Sequence, residues 1–158
     1  MEALPAYLWP PATWIEQANR LQSFVIAYPI RLPKADYYTR YLIGNGRWLS
    51  VPILHATKDT PYAATWPSDQ RWRLYHWRTL VTLYGKAPFF YEWKPFLEYL
   101  YLEAQLYTLR DFADLIFQEL ARLYAWRYEW APTPGAIPPF QYPAKELSIL
   151  DKLLRTVP

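Results

Sequence analysis

The chain of 158 residues contains no cysteine, four glycines and two histidines. The lack of cysteine excludes disulfides, cysteine-ligated iron–sulfur clusters and thiolate zinc sites. No Gly-x-Gly-x-x-Gly, P-loop lysine or Gly-x-Ser-x-Gly motif is present, so the sequence predicts none of the sites that these motifs build. The Asp-x-Asp motif that is common in metal-dependent glycosyltransferases is also absent. We therefore predict no cofactor and no metal site, and leave metal ligation by carboxylates open as the alternative.

The chain also lacks long apolar runs and a strong excess of one charge. No run of about eighteen apolar residues occurs, so we predict no transmembrane segment. Residues 1–9 lack the basic and apolar regions of a secretory signal. The 17 basic and 14 acidic residues leave a net charge of +3, and the basic residues are dispersed along the chain. We expect a cytoplasmic protein with no nucleic-acid partner, for which a nucleotide sugar or another anionic small molecule is a compatible ligand.

Aromatic side chains, in contrast, are abundant: they make up 20% of the residues and include nine tryptophans and fifteen tyrosines. Tryptophan and tyrosine combine a large contact area with a polar group, which suits either a core with a polar rim or stacking against a sugar or a base. The length and apolar content predict a substantial core. We predict one globular domain over residues 1–130, followed by a proline-rich arm with a short helix over residues 131–158.

Strand signals lie in the first half of the chain. Residues 23–27 form a compact apolar run, which Pro29 ends or confines to a sheet edge. Residues 37–43 and 47–53 flank the pair Asn45-Gly46, the strongest short signal for an antiparallel hairpin. Strands early and helices late predict an α+β fold, in which a small antiparallel or mixed sheet from the N-terminal half packs with helices from the C-terminal half.

Four helices are predicted from their capping residues and their apolar spacing. Thr13 and Glu16 predict a capping box for a short first helix. Ser68 as N-cap and Gly85 as a left-handed C-cap enclose a second helix, and Pro95 is expected to open a third, through about residue 107. The fourth and longest helix starts around residues 108–111, with a core stripe of Phe112, Ile116, Leu120 and Leu123.

The tail shows a further helical pattern. Five prolines between residues 131 and 143 indicate an extended arm. After it, Leu147, Leu150 and Leu154 fall at helical spacing and predict a short amphipathic helix. This helix is expected to dock either on its own domain or on a neighbouring copy of the chain.

The most distinctive segment covers residues 72–90. It places Trp72, His76, Trp77 and Arg78 on one predicted helix, which ends in an aromatic-rich loop. With residues 4–10, 34–40 and 48–52, it resembles the WbqC-like protein family, in the same order along residues 4–125. Members of that family are associated with the biosynthesis of bacterial surface polysaccharide, the O-antigen. The resemblance implies a transferase-type enzyme that acts on a sugar or a sugar nucleotide.

The resemblance implies roles for three residues of this segment. His76 would be the catalytic acid or base, since the pKa of a free histidine lies near working pH. The alternative is a hydrogen-bonded histidine at the edge of the core, because His76 shares a helix face with Trp72. Trp77 would stack on the sugar, and Arg78 would bind a phosphate or carboxylate group. Arg78 lies about 200° around the helix from His76, so an exposed surface arginine is the alternative.

Three further substrate-binding residues are predicted before the hairpin. Lys34 and Arg40 are six residues apart, which places them on the same face of an extended strand. Two cations there could hold a pyrophosphate or a sugar carboxylate; the alternative is protection of an edge strand against aggregation. Both residues match the family-like segment, and Tyr37 between them would stack on the sugar.

Two other functions stay open. Thr39 stands where the family usually has asparagine, and residues 28–31 replace an acidic strand end. These differences favour a divergent, non-catalytic binding or scaffold protein of the same fold. In the second alternative, the arm over residues 131–158 joins two copies of the chain into a homodimer.

Overall fold

The computed structural model describes residues 2–30, 37–53, 62, 69–133 and 145–156. Lys34 and Ser68 lie outside the described residues. The described elements, in chain order, are the strand β1 (Ala3–Pro5), the helix α1 (Ala12–Leu21), the strands β2 (Ser23–Pro29), β3 (Arg40–Leu42) and β4 (Trp48–Ser50), the helices α2 (Arg71–Tyr84) and α3 (Phe90–Glu98), a π-helical turn (Tyr99–Glu103), the helix α4 (Leu109–Tyr124), the strand β5 (Arg127–Thr133) and the helix α5 (Ile149–Arg155).

The fold is α+β, as predicted, and the described strands form two small sheets. β1, β2 and β5 form a parallel sheet in that order, while β3 and β4 form an antiparallel pair. The strand predicted over residues 23–27 is confirmed as β2, and Pro29 is its last residue. The alternative that Pro29 marks an edge strand is wrong, because β2 pairs on both sides. The sequence pattern did not predict β1 or β5, and β5 comes from the C-terminal half of the chain.

The antiparallel hairpin is confirmed, with strands shorter than predicted. Arg40 pairs with Ser50, and Leu42 pairs with Trp48. In the turn the Gly46 N–H donates to the Ile43 carbonyl at 2.9 Å, and Gly46 has a φ of 79°. A left-handed residue directly after such a turn returns the chain in register with the first strand, and glycine accepts that conformation without steric cost.

Helix α1 is capped by the C-terminal segment and not by its own side chains. The predicted capping box of Thr13 and Glu16 is wrong: the helix begins at Ala12 and has no local side-chain cap. Instead, Glu146 accepts hydrogen bonds from the Thr13 N–H at 3.0 Å and from the Thr13 hydroxyl at 2.5 Å. A carboxylate at this end binds the free N–H groups and complements the helix dipole.

Two predicted helix boundaries are wrong in the middle of the chain. Gly85 follows α2 in a right-handed conformation, so it is not a left-handed cap. Pro95 does not open a helix, because α3 already begins at Phe90 and contains Pro95 in its interior. Proline lacks the N–H that an interior position would use. The helical segment ends with the π-helical turn, whose Tyr99 carbonyl accepts from the Ala104 N–H at 2.7 Å.

The predicted start of the longest helix is confirmed. Thr108 and Asp111 form a capping box at the first residue of α4, and a residue in a left-handed conformation, Ala125, ends the helix. Three of the four predicted core residues are buried, namely Phe112, Ile116 and Leu120. Leu123 is 40% exposed, so its assignment to the core stripe is wrong.

Helix α5 packs on its own chain. Its residues Ile149, Leu150, Leu153 and Leu154 belong to the same hydrophobic core as the sheet and the other helices. The Phe89 N–H donates to the Leu154 carbonyl at 3.0 Å. A Cβ at Gly44 would clash with the Asp151 carboxylate, so a larger residue there would require the Asp151 side chain to move.

Candidate ligand-binding site

Seven aromatic rings form a continuous chain near the edge of the parallel sheet at which its strands end. The centroids of successive rings are 5.0 to 6.2 Å apart. Together with two arginines, we name this set the aromatic edge; in spatial order its members are Arg40, Trp48, Tyr37, Tyr7, Tyr38, Tyr62, Tyr28, Trp130 and Arg110.

The topology explains why these residues meet. Parallel strands present their carboxyl ends at one edge of the sheet, so the residues around the ends of β1 and β2, Tyr7 and Tyr28, come close together. Helix α4 runs back along β5, which follows it after a short turn, so its first residues return to the same edge. Arg110, the second residue of α4, therefore lies against Trp130 of β5.

One end of the aromatic edge is formed by the hairpin. Arg40 and Trp48 are diagonal neighbours across β3 and β4, a relation that places side chains on one face. The Arg40 guanidinium lies 4.0 Å from the centre of the Trp48 ring. The Tyr37 hydroxyl accepts from the Glu146 N–H at 3.1 Å. Arg40 and Trp48 are half-buried, so this end offers solvent a cation stacked on an indole.

The other end of the aromatic edge is formed by Arg110 between two rings. Its guanidinium carbon lies 5.1 Å from the Tyr28 ring centre and 5.0 Å from that of Trp130. All three residues are half-buried. Within the part of the chain that the structure describes, no carboxylate, carbonyl or hydroxyl accepts a hydrogen bond from Arg110. Its N–H groups are therefore available to a bound acceptor.

Tyr62 lies between the two ends and carries an unsatisfied group. Its side chain is fully buried, yet its hydroxyl has no hydrogen-bond partner among the described residues. Burial raises the pKa of Tyr62, an effect that Arg110 opposes and Asp114 reinforces. The hydroxyl is therefore neutral and keeps its proton as a donor. A buried hydroxyl without a partner costs about 1–3 kcal/mol.

A second polar region lies against the hairpin of β3 and β4 and contains the predicted catalytic residue. We name it the histidine cluster: Trp9, Tyr41, His76 and Tyr101. His76 is 1% exposed. Its Nε2 lies 2.9 Å from the Ser50 carbonyl oxygen, and its Nδ1 lies 2.9 Å from the Tyr41 hydroxyl.

The hydrogen bonds of the histidine cluster can run in only one direction. The Ser50 carbonyl is an acceptor, so His76 Nε2–H donates to it and the neutral ring accepts from Tyr41 at Nδ1. The Tyr41 oxygen then accepts from Tyr101 at 2.6 Å. The Trp9 indole N–H, which can only donate, closes the chain on Tyr101 at 3.0 Å. Every polar group in the cluster is satisfied.

This arrangement keeps His76 neutral. Burial lowers the pKa of His76 to about 4, although the hydrogen bond to Ser50 opposes the shift. A proton on Nδ1 would reverse the bond to Tyr41. The reversal would leave the Tyr101 proton facing the Trp9 donor, without an acceptor. With both nitrogens engaged and the ring buried, His76 has no open side for a substrate.

The contacts of His76 join the two strands of the hairpin. Tyr41 belongs to β3 and Ser50 to the facing strand β4, so the two ring nitrogens bind both strands of the hairpin. Ser50 is also the strand partner of Arg40. His76 thereby fixes the hairpin that carries Arg40 and Trp48, and it acts on the aromatic edge by positioning it.

The structure brings together two of the predicted site residues and places Trp77 and Arg78 away from them. Tyr37 and Arg40 both lie in the aromatic edge, and Lys34 is outside the described residues. Trp77 is half-buried against Phe90, with ring centres 6.1 Å apart. Arg78 is exposed on α2. No ring contact or hydrogen bond among the described residues joins Trp77 or Arg78 to the aromatic edge.

Sequence reasoning missed four members of the aromatic edge that matter for binding: Trp48, Tyr62, Arg110 and Trp130. Trp48 could have been found, because the predicted hairpin register places it diagonally across from Arg40. Arg110 and Trp130 meet across the α4–β5 unit, whose strand the sequence pattern did not predict. Tyr62 had no signal, because the sequence pattern predicts no helix or strand around it.

Comparison with known proteins establishes the family. The WbqC-like protein family model matches residues 5–134, so the chain belongs to the WbqC-like protein family. No curated protein and no solved structure matches the chain. The matched range contains the histidine cluster and the whole aromatic edge.

Two other observations bear on the expectations from the sequence. No helix in the described residues is long and apolar enough to cross a membrane. Over the same residues, no group of three or more histidine, cysteine or acidic side chains is arranged to hold a metal ion.

Proposed function

We propose that this WbqC-like protein binds a sugar nucleotide, or another anionic sugar, at the aromatic edge and acts in surface polysaccharide biosynthesis as a transferase-type enzyme. The observation that carries the proposal is Arg40 stacked on Trp48 beside Tyr37. Indole and phenol rings offer flat faces to a sugar or a base, while a guanidinium binds phosphate or carboxylate groups. The cytoplasmic location expected from the sequence is part of this proposal.

The proposed chemistry depends on charge stabilisation. Transfer from a sugar nucleotide breaks the bond between the sugar and a phosphate, and negative charge develops on the leaving phosphate. A guanidinium placed beforehand next to that group lowers the barrier, because it need not reorganise as the charge forms. Arg40 would have this role, with Trp48 and Tyr37 orienting the ligand. The acid–base role of His76 stays a prediction, for which its buried position gives no support.

A thermal-shift screen of the full chain tests this proposal. Nucleotide sugars, free nucleotides, and acyl and aminoacyl donors would be compared. A ligand at about a hundred times its Kd stabilises the native state by about 2.7 kcal/mol. We expect a nucleotide sugar to raise Tm and Arg40→Gln to abolish the shift. Arg47→Gln, in the same hairpin but exposed and bonded to Tyr75, is the matched control and should keep the shift. No shift with any member of the panel would contradict the proposal.

A second candidate is a non-catalytic binding protein of the same fold, and the closed histidine cluster favours it. If His76 only fixes the hairpin, the chain has no acid or base from this cluster to offer. Binding of a nucleotide sugar without its turnover, in the presence of possible acceptors, would support this candidate. A homodimer through residues 131–158 stays a prediction; the buried leucines of α5 are engaged within the chain.

A further inference from the structure

Arg110 is a cation held in place without an anionic partner among the described residues. Rings on two elements, Tyr28 of β2 and Trp130 of β5, contact its guanidinium, so its orientation is fixed by the sheet. The N–H groups of a guanidinium lie in a single plane and form a rigid fork. In that plane the fork geometry matches the two oxygens of a phosphate or carboxylate.

The buried Tyr62 hydroxyl supplies an independent second observation. Its ring stacks on the Tyr28 ring, with centroids 5.6 Å apart and planes at 24°. Tyr28 therefore contacts both Arg110 and Tyr62. The positive charge of Arg110 lowers the pKa of the Tyr62 hydroxyl, against the larger effect of burial. A buried hydroxyl donor and a guanidinium that contact the same ring, neither with an acceptor among the described residues, would both be satisfied by an acceptor that carries negative charge.

Asp114 is the opposing charge in this region. Its carboxylate accepts from the Trp130 indole at 2.6 Å, the Tyr128 hydroxyl at 3.1 Å and the Gln118 amide at 2.7 Å. Three donors disperse its negative charge and hold it in place. No ion pair joins Asp114 to Arg110 among the described residues, so Asp114 does not neutralise the arginine charge by direct contact.

We propose that Arg110 and the Tyr62 hydroxyl form an oxyanion subsite at this end of the aromatic edge, which binds a phosphate or carboxylate group. The inference rests on the proposed function in one respect: the group belongs to the same ligand that stacks at the hairpin end. The subsite itself is defined by residues that the sequence did not suggest, and it binds free inorganic phosphate as well.

Titration of the full chain with inorganic phosphate, followed by Tm and by calorimetry, tests the subsite. We expect saturable binding, weakened about tenfold by Tyr62→Phe, since a hydrogen bond to a charged group has about this effect. Tyr62→Phe should leave Tm in the absence of phosphate unchanged or higher, because it removes an unsatisfied hydroxyl. Substitution of a residue needed only for packing would lower Tm and would not selectively weaken phosphate binding. Arg110→Gln should abolish binding, and Arg110→Lys should weaken it about tenfold through loss of the fork.

Tyr84→Phe is the matched control. Its hydroxyl bonds Asp151 at 2.8 Å in another region, so this change should lower Tm and leave phosphate affinity unchanged. Titration with acetate separates a carboxylate site from a phosphate site. Unchanged phosphate affinity in Arg110→Gln, or no binding by the wild type, would overturn the subsite. If nucleotide sugars still raise Tm in an Arg40-dependent manner, only the subsite fails; if they do not, the proposed function fails as well.

Discussion

The aromatic edge and the histidine cluster are built from the same kinds of side chain, but they differ in whether their polar groups have hydrogen-bond partners. In the histidine cluster, four hydrogen bonds run in one direction from Trp9 to Ser50 and leave no group unsatisfied. In the aromatic edge, the Tyr62 hydroxyl and the Arg110 guanidinium have no acceptor among the described residues. A closed network fixes a fold, whereas donors held without acceptors suit a ligand.

The backbone supports this difference. Trp9, the first donor of the histidine cluster, has a φ of 39°, a left-handed conformation that is rare and unfavourable for a bulky residue. Its side chain is fully buried and bonded to Tyr101. Such a conformation persists only where the surroundings determine it. The histidine cluster is therefore a tightly determined part of the core, and its substitutions should act on stability.

The largest effect is expected for His76→Ala. It removes a buried ring that binds both strands of the hairpin and leaves the Tyr41 hydroxyl without its acceptor. We expect a loss of about 4 kcal/mol in the free energy of unfolding, measured by chemical denaturation. Arg78→Ala, two residues away but exposed, should change it by less than about 0.5 kcal/mol. Equal stability of wild type and His76→Ala would contradict the claim that the histidine cluster stabilises the fold.

The pH dependence of stability should show the same closed cluster. The pKa of His76 is about 4 in the folded chain and 6.5 as a free side chain. Between these values the unfolded chain binds a proton that the folded chain does not, so stability falls as pH falls. The contribution of His76 is complete above pH 6.5 and decreases by about 3 kcal/mol towards pH 4.

His76→Gln isolates this contribution, because all other groups titrate in both proteins. The difference in free energy of unfolding between wild type and His76→Gln should be constant above pH 6.5 and shrink towards pH 4. A difference that is independent of pH over this range would show that His76 titrates normally and is accessible to solvent.

One chemical change made in both regions should have different effects. Tyr41→Phe leaves His76 Nδ1 without its donor and the Tyr101 hydroxyl proton without its acceptor, and should lower the free energy of unfolding by about 2 kcal/mol. Tyr62→Phe removes a hydroxyl that has no partner among the described residues, and should not lower the free energy of unfolding. Urea denaturation of both variants, each compared with the wild type, measures the difference. Equal losses at the two positions would remove the distinction between a closed and an open region.

The smallest effect concerns the segment that holds Tyr37 in the aromatic edge. Glu146 caps α1 through Thr13, and its backbone N–H donates to the Tyr37 hydroxyl. Glu146→Ala should cost about 1 kcal/mol of stability, the usual value of a lost helix cap. Glu16→Ala, which removes the acidic residue of the capping box predicted from the sequence, should cost less than about 0.5 kcal/mol. A larger loss of stability for Glu16→Ala than for Glu146→Ala, measured by thermal denaturation, would support the capping box predicted from the sequence.

Features that depend on neighbouring residues were predictable from the sequence. The hairpin follows from the tolerance of Gly46 for positive φ, and the start of α4 follows from the spacing of Thr108 and Asp111. Features set by distant residues were not. The carboxylate that caps α1 is 133 residues from Thr13. Strand β5 contains Pro132, which the local pattern assigned to the arm. Among the described strands β5 pairs with β2 alone, and such an edge position tolerates proline.

The candidate site was predictable to the same extent. The resemblance to the family identified Tyr37 and Arg40, which the structure places together. It also indicated His76, but one sequence cannot show that Tyr41 and Ser50 occupy both nitrogens of the ring. Arg110 carries no local signal beyond its place at the start of an amphipathic helix. Its position beside Tyr28 depends on strand pairing across about a hundred residues, which periodicity does not report.

The most direct test of the central claim, that ligand binds at the aromatic edge and the histidine cluster is structural, is a two-dimensional NMR titration of the tryptophan indole N–H signals. The nine tryptophans give nine probes, assigned by Trp→Phe variants, and the ligand is the nucleotide sugar with the largest thermal shift. The indole signals of Trp48 and Trp130 should move on titration, while those of Trp9 and Trp77 stay in place. Movement confined to Trp9 and Trp77, with Trp48 and Trp130 unchanged, would contradict the account.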